Sequence, residues 1–175
     1  MTLIITSTVY VNSGLTVVMD AGLREQQYTD SILFYIGSAA IKKIVVCDNS
    51  GFDYSKVERL SAGAKQHGKE IEFLSFQGDK DKIKQQGKGY GEGEIMAYTL
   101  KNSRLLGEGS DFFKVTGRVI VLNIDRIASK VVPGEACFQK VTMNPFSPTD
   151  SFRLRTVLSH SNRNVARQPF DAASL

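Results

Sequence analysis

Three short stretches carry residues whose chemistry reaches beyond folding. Gly87-Lys88-Gly89-Tyr90-Gly91-Glu92-Gly93 places four glycines among seven residues. Such a segment lets backbone N–H groups approach a phosphate, and a helix starting just after it adds partial positive charge. Asp48-Asn49-Ser50 ends an apolar run with a carboxylate and two short polar groups that can hydrogen-bond a base or ribose. Thr116-Gly117-Arg118 breaks another apolar run with a small residue and a permanent cation, whose planar donors suit a leaving phosphate. Arg24 and Gln27 begin a helical pattern, where an arginine suits a diphosphate, and Lys88 within the glycine-rich segment would pair with a phosphate or is a solvated lysine. Each stretch also has a plainer reading: a tight glycine turn, an ordinary Asx-type turn, a bulge with a solvent-facing arginine. Glu92 and Glu94 would either contact sugar or ribose hydroxyls or simply favour a helix N-terminus.

Two phosphate-binding fingerprints fail at the glycine-rich segment. A dinucleotide pattern starting at Gly87 needs glycine where Glu92 stands, and one starting at Gly89 needs it where Glu94 stands. A Walker A loop ending at Gly87-Lys88 needs glycine at Lys82 and a hydroxyl residue at Gly89. Neither NAD binding nor ATP hydrolysis has support.

The elements that must position these residues follow from periodicity. Residues 3–9 are short and β-branched, and Asn12-Ser13-Gly14 follows as turn chemistry. Residues 24–40 repeat Tyr28, Ile32, Leu33, Tyr35 and Ile36 at helical spacing. Residues 41–47 read as a buried parallel strand, 55–66 as a helix stopped by Gly68, and 71–76 as a third strand. A charged stretch over 78–86 leads into the glycine turn, then a helix over 94–106 and a strand over 112–122 broken near Gly117. Strands alternating with helices predict an α/β fold: an open, mostly parallel sheet with helices on both faces, binding ligands beyond the carboxyl ends of its strands. That rule selects Thr6, Ser7 and the residues up to Tyr10, Asp48 to Gly51, and Gln86 to Gly93.

With 175 residues and 42% hydrophobic content, the chain can bury one sizeable core. Its two cysteines, Cys47 and Cys137, form no disulfide framework or zinc spacing, and His67 and His160 read as surface residues. No apolar run approaches the roughly 18 residues of a membrane span, and no signal sequence shows, so a cytoplasmic location is expected. Residues 1–125 hold 15 basic and 15 acidic side chains, whereas 126–175 hold 7 and 3, so the net charge of +4 belongs to the tail. Such a tail suits peripheral contact with an anionic membrane, or is a solvated end.

The combination Arg24-x-x-Gln27-Tyr28-x-x-Ser31-Ile32, Lys43-Ile44-Val45-Val46-Cys47-Asp48-Asn49-Ser50, Gly87-Lys88-Gly89-Tyr90-Gly91-Glu92 and Phe113-Lys114-Val115-Thr116-Gly117-Arg118 resembles bacterial glycosyltransferases of capsule and lipopolysaccharide gene clusters. More broadly, residues 3–125 look like the nucleotide-sugar-binding, Rossmann-like half of the GT-A fold. The resemblance implies a donor domain over 1–125 and an irregular, basic segment over 126–175 that stands as a truncated or divergent acceptor region. It implies a nucleotide-sugar donor held by Thr6, Ser7, Arg24, Gln27, Asp48, Asn49, Ser50, Gly87, Lys88, Gly89, Tyr90, Gly91 and Glu92, and a glycan or lipid-linked glycan acceptor. Many such enzymes place an Asp-x-Asp metal motif where this chain has Thr116-Gly117-Arg118. The expectation is therefore a metal-independent transfer with no cofactor, Arg118 on the leaving group with help from Lys88 or Lys114, and Asp125 as base. The alternative is a non-catalytic nucleotide- or sugar-binding module of the same fold. A nucleic-acid partner fits the pI near 9.1, but the chain lacks aromatic-basic interleaving.

Overall fold

The structure, a computed structural model, describes residues 1–11, 20–132 and 134, and the backbone of 157–160. Strand β1, Thr2–Ser7, is buried along its whole length, as expected of a central parallel strand covered on both sides. Helix α1, Ala21–Gly37, starts where the Asp20 carboxylate accepts a hydrogen bond from Leu23 N at 2.6 Å. It buries Tyr28, Ile32, Tyr35 and Ile36, one stripe of a 3.6-residue period. Strand β2, Lys43–Asp48, follows; then a 3-10 turn at Tyr54–Lys56 and helix α2, Glu58–Gln66, which buries Leu60 and Ala64. Gly68 and Lys69 close α2 by donating back to Lys65 O and Ala64 O.

Strand β3, Glu70–Ser75, leads to two helices, α3 at Lys80–Gln86 and α4 at Lys88–Asn102, and then to strand β4, Asp111–Thr116. A five-residue helix α5, Ile124–Ala128, and strand β5, Val157–His160, complete the described elements. The sheet order is β3-β2-β1-β4-β5. The first four strands run parallel, and β5 joins β4 antiparallel. The backbone of Val157–His160 thus adds to the same sheet although it falls in the segment expected to be irregular; most of that segment, 126–175, lies outside the described residues.

Side chains alternate across the sheet, so each face has its own helices. Leu3, Ile5, Ile44, Val46, Phe113 and Val115 share one core with α1 and α2. The opposite face presents Thr6, Cys47, Glu72 and Lys114 toward α4 and the residues that follow it. There the buried Glu72 carboxylate accepts from Ser103 Oγ, Arg104 N and Leu105 N, fixing the exit of α4. Burial alone would raise the Glu72 pKa, but these hydrogen bonds together hold the carboxyl below its ordinary value.

Two expectations about the middle of the chain are corrected. The glycine-rich segment is helical: α4 begins at Lys88, and only Gly87, at φ 85°, has the left-handed backbone of a turn. The charged stretch before it is α3, capped by the Asp79 carboxylate on Lys82 N. Glycine's weak helix propensity is outweighed here by a close approach, because a Cβ on Gly91 would lie 3.3 Å from the Ile83 side chain. The fourth strand also ends at Thr116 instead of continuing to residue 122, because the chain turns at Gly117.

Gly117 sits against β1: its N–H donates to Thr6 O at 2.9 Å, and a Cβ there would lie 2.5 Å from that oxygen and 2.7 Å from the Tyr28 ring. Both neighbours are buried, so neither yields cheaply. Gly117→Ala should therefore cost at least about 2 kcal/mol in urea unfolding; a midpoint unchanged from the parent protein would show that this contact is loose.

Candidate functional site at the carboxyl edge

In an open parallel sheet, ligand-binding crevices form where neighbouring strands send their connections in opposite directions. In this order that place is the gap between β1 and β4: from β1 the chain moves through β2 to β3, then crosses back to β4. The carboxyl ends meeting there are Thr6, paired with Thr116 in register, and Ser7, next to Asp48.

The structure brings most of the expected residues to this edge but engages many of them with one another. Asp48 is fully buried and accepts from Ser7 Oγ at 2.9 Å, Val9 N at 3.0 Å, Ser50 N at 2.7 Å, Ser50 Oγ at 2.5 Å and Phe52 N at 3.1 Å. Two oxygens with about four acceptor directions are saturated by five donors. The Asp48 carboxylate, expected on a nucleotide, instead ties the segment after β1 to the segment after β2, and Ser7 is spent on it. The Ser50 hydroxyl also accepts from Val9 N and Tyr10 N. Asn49 accepts from Thr8 Oγ1 at 2.6 Å through its side chain and from Gly78 N through its carbonyl.

Arg24 likewise turns inward. Its guanidinium donates to the carbonyls of Thr8 and Val9 and to the Tyr28 hydroxyl, so the cation expected on a diphosphate clamps the residues after β1. Burial pulls its pKa down, against the opposing pull of Tyr28, and Arg118 adds to the lowering. Tyr28 accepts from Thr8 N at 3.2 Å as well; burial pushes its pKa up while Arg24 pulls the other way. Two cations share this one ring, with Arg24 5.6 Å and Arg118 5.9 Å from the Tyr28 centroid.

Arg118 is half-buried on the α1 side of the gap, donating to Gln27 Oε1 at 2.9 Å. Lys114 answers it on the α4 side. Although in a strand, it is only 7% exposed; its ammonium pairs with Glu92 and lies 3.3 Å from Thr116 Oγ1. Glu92 also accepts from Thr6 Oγ1 at 2.8 Å. The edge between β1 and β4 is therefore flanked by two cations on opposite faces of the sheet, joined through Thr6 and the Gly117 turn.

The remaining expected residues divide. Gly87 is the N-cap of α4 and makes no side-chain cap, while Lys88 and Gly89 are exposed in its first turn beside Tyr90. Gly91 packs against Ile83 and Asn49, which connects the first turns of α4 to the end of β2. Asp125 is displaced from the site altogether. Its carboxylate accepts from Ser38 Oγ, Ala39 N and Ala40 N in the connection entering β2, at the amino edge of the sheet. Those hydrogen bonds, Ser38 first, hold its pKa below the usual carboxylate value, and they fix it at the edge opposite the β1–β4 gap.

Sequence reasoning placed Thr8 within the selected stretch ending at Tyr10, but it read Tyr28 only as a core position of the helix and gave Lys114 a supporting role. Lys114 did carry a signal, because a lysine alternating with Phe113 and Val115 in a buried strand requires an anionic partner. Among the described residues, no group of three or more His, Cys, Asp or Glu side chains is arranged to hold a metal ion, and no helix is long and apolar enough to cross a membrane.

Asp48→Ala should strand several buried donors at once, lowering stability by roughly 3 kcal/mol or more. Urea denaturation followed by circular dichroism measures this; a loss below about 1 kcal/mol would mean that water replaces the carboxylate freely.

No protein-family model matches the chain, and no curated protein matches it.

Proposed function

We propose that this chain binds a nucleotide sugar across the carboxyl edge and transfers the sugar to a glycan acceptor, as a GT-A-like glycosyltransferase. The observation that carries the reading is the placement of Arg118 and Lys114 on either side of the β1–β4 gap, with the first turns of α4 alongside. A diphosphate bound there meets two fixed cations and the N-terminal amides of a 15-residue helix. Tyr10 supports the nucleotide end: it is 51% exposed, edge-on to Phe52 at 5.7 Å, and its N–H is tied to Ser50. That half-exposed ring offers a base a face on which to stack.

In such a transfer the bond from the anomeric carbon to the diphosphate oxygen breaks. An acceptor hydroxyl oxygen then bonds to that carbon and passes its proton to solvent water. Negative charge accumulates on the departing nucleoside diphosphate, the place where preorganised cations act most strongly. Thr116-Gly117-Arg118 stands where an Asp-x-Asp metal motif stands in many GT-A enzymes, so the reading gives that charge to Arg118 and Lys114. The acceptor and a membrane-surface location belong to the same proposal.

A binding module without turnover is the second reading, favoured by Asp125 lying at the amino edge, away from the site. Thermal-shift screening with UDP-, GDP-, CDP- and CMP-sugars, followed by donor-hydrolysis assays, separates the two. The enzyme reading expects stabilisation together with hydrolysis that persists in EDTA. Arg118→Ala should lower kcat roughly 100-fold while changing donor affinity less than about threefold. Equal losses in kcat and affinity would remove Arg118 from the transition state; stabilisation without hydrolysis would favour the module.

A further inference from the structure

Lys114 and Glu92 pose a problem that packing alone does not solve. Lys114 is rooted two residues before the end of β4, yet its ammonium lies 3.3 Å from Thr116 Oγ1, so the side chain runs along the strand and delivers its charge to the carboxyl edge. A lysine held at 7% exposure must have an anion beside it, and Glu92 supplies one. The Glu92 carboxylate also accepts from Thr6 Oγ1, so it rests on a cation and a hydroxyl at the mouth of the β1–β4 gap. That pair of donors suits a phosphate oxygen equally well.

We infer that Glu92 is an intramolecular competitor for the anionic ligand: its carboxylate occupies the position on Lys114 and Thr6 that a phosphate oxygen of the ligand takes, and binding displaces it. The inference rests on the reading of this edge as a diphosphate site. Three features support displacement. The Glu92 side chain is 35% exposed, whereas that of Lys114 is 9% exposed, so the acid is the partner open to solvent and the base the enclosed one. Helical side chains lean toward the N-terminus over the residues three and four positions earlier. For Glu92 these are Gly89 and the exposed Lys88, and open space surrounds the Cβ position of Gly89, so the carboxylate has room to swing out. Exchange of one anion for another also leaves Lys114 paired throughout, avoiding the large cost of a buried, uncompensated charge.

The glycine-rich segment thereby gains a purpose beyond close packing at Gly91. Gly89 clears a path for the displaced side chain. Until the ligand arrives, the internal pair keeps Lys114 satisfied, and the apparent affinity is reduced by the fraction of molecules in which the position is open.

The test is isothermal titration of the full chain with inorganic pyrophosphate, comparing the parent protein with Glu92→Gln and Glu92→Asp. The glutamine variant removes the competing charge; the aspartate variant keeps a negative charge on the helix but shortens its reach, which guards against a glutamine variant that fails to fold. Both should bind pyrophosphate roughly tenfold or more tightly than the parent, and Lys114→Met added to Glu92→Gln should abolish the gain. Unchanged or weaker binding in folded variants overturns the competitor role while leaving the diphosphate site intact. Absence of pyrophosphate binding in all folded proteins overturns both.

Discussion

A buried carboxylate organises the carboxyl edge of the sheet. Asp48 collects donors from Ser7, Val9, Ser50 and Phe52, and by doing so joins the segment leaving β1 to the segment leaving β2. An uncompensated carboxylate in this position would be prohibitively costly, and the hydrogen-bond donors left without it would each be unsatisfied at a smaller cost. The two segments are therefore stable only together. Arg24 extends the clamp by holding the carbonyls of Thr8 and Val9, and Tyr28 takes the N–H of Thr8. The backbone at the carboxyl edge is thus fixed before any ligand arrives, which is the condition for preorganised electrostatics.

On that fixed frame the gap between β1 and β4 takes its shape from Gly117. The absence of a side chain lets the turn after β4 press against Thr6 O and the Tyr28 ring, and the next residue, Arg118, then falls beside Gln27 on the α1 face. Lys114, three residues from Gly117 in the strand itself, faces α4 and Glu92. One short segment, Lys114 to Arg118, therefore sends its two cations to opposite faces of the sheet. Strand alternation places the first, and the break at Gly117 redirects the second.

The fold was largely legible because the signals behind it are local. Apolar runs such as residues 41–47 and the helical repeat of Tyr28, Ile32, Tyr35 and Ile36 report burial directly, and the β-α-β alternation leaves few topologies. Most residues singled out at the ends of β1 and β2 do come together, but mainly to bond one another. Asp48 and Arg24 stand at ligand-binding positions by residue type, yet whether a polar group faces a ligand or its own chain depends on which donors come near from distant segments. The glycine-rich segment misled for a related reason: glycine density predicts a turn, whereas here the close approach of Gly91 to Ile83 and the helix beyond it outweigh propensity. Asp125 was misplaced because nearness in sequence to β4 says nothing about the edge to which the chain returns. It turned back to cap the connection after α1.

The central claim is that an anionic nucleotide settles between β1 and β4 at their carboxyl ends. Amide chemical-shift mapping by heteronuclear NMR, with UDP, GDP and CDP titrated separately, tests it most directly. At least one nucleotide should move the amides of Thr6, Gly89, Gly117 and Arg118 together while leaving Ala39, Ala40 and Asp125 at the amino edge in place. Shifts confined to the amino edge, or none with any of the three, would contradict the account.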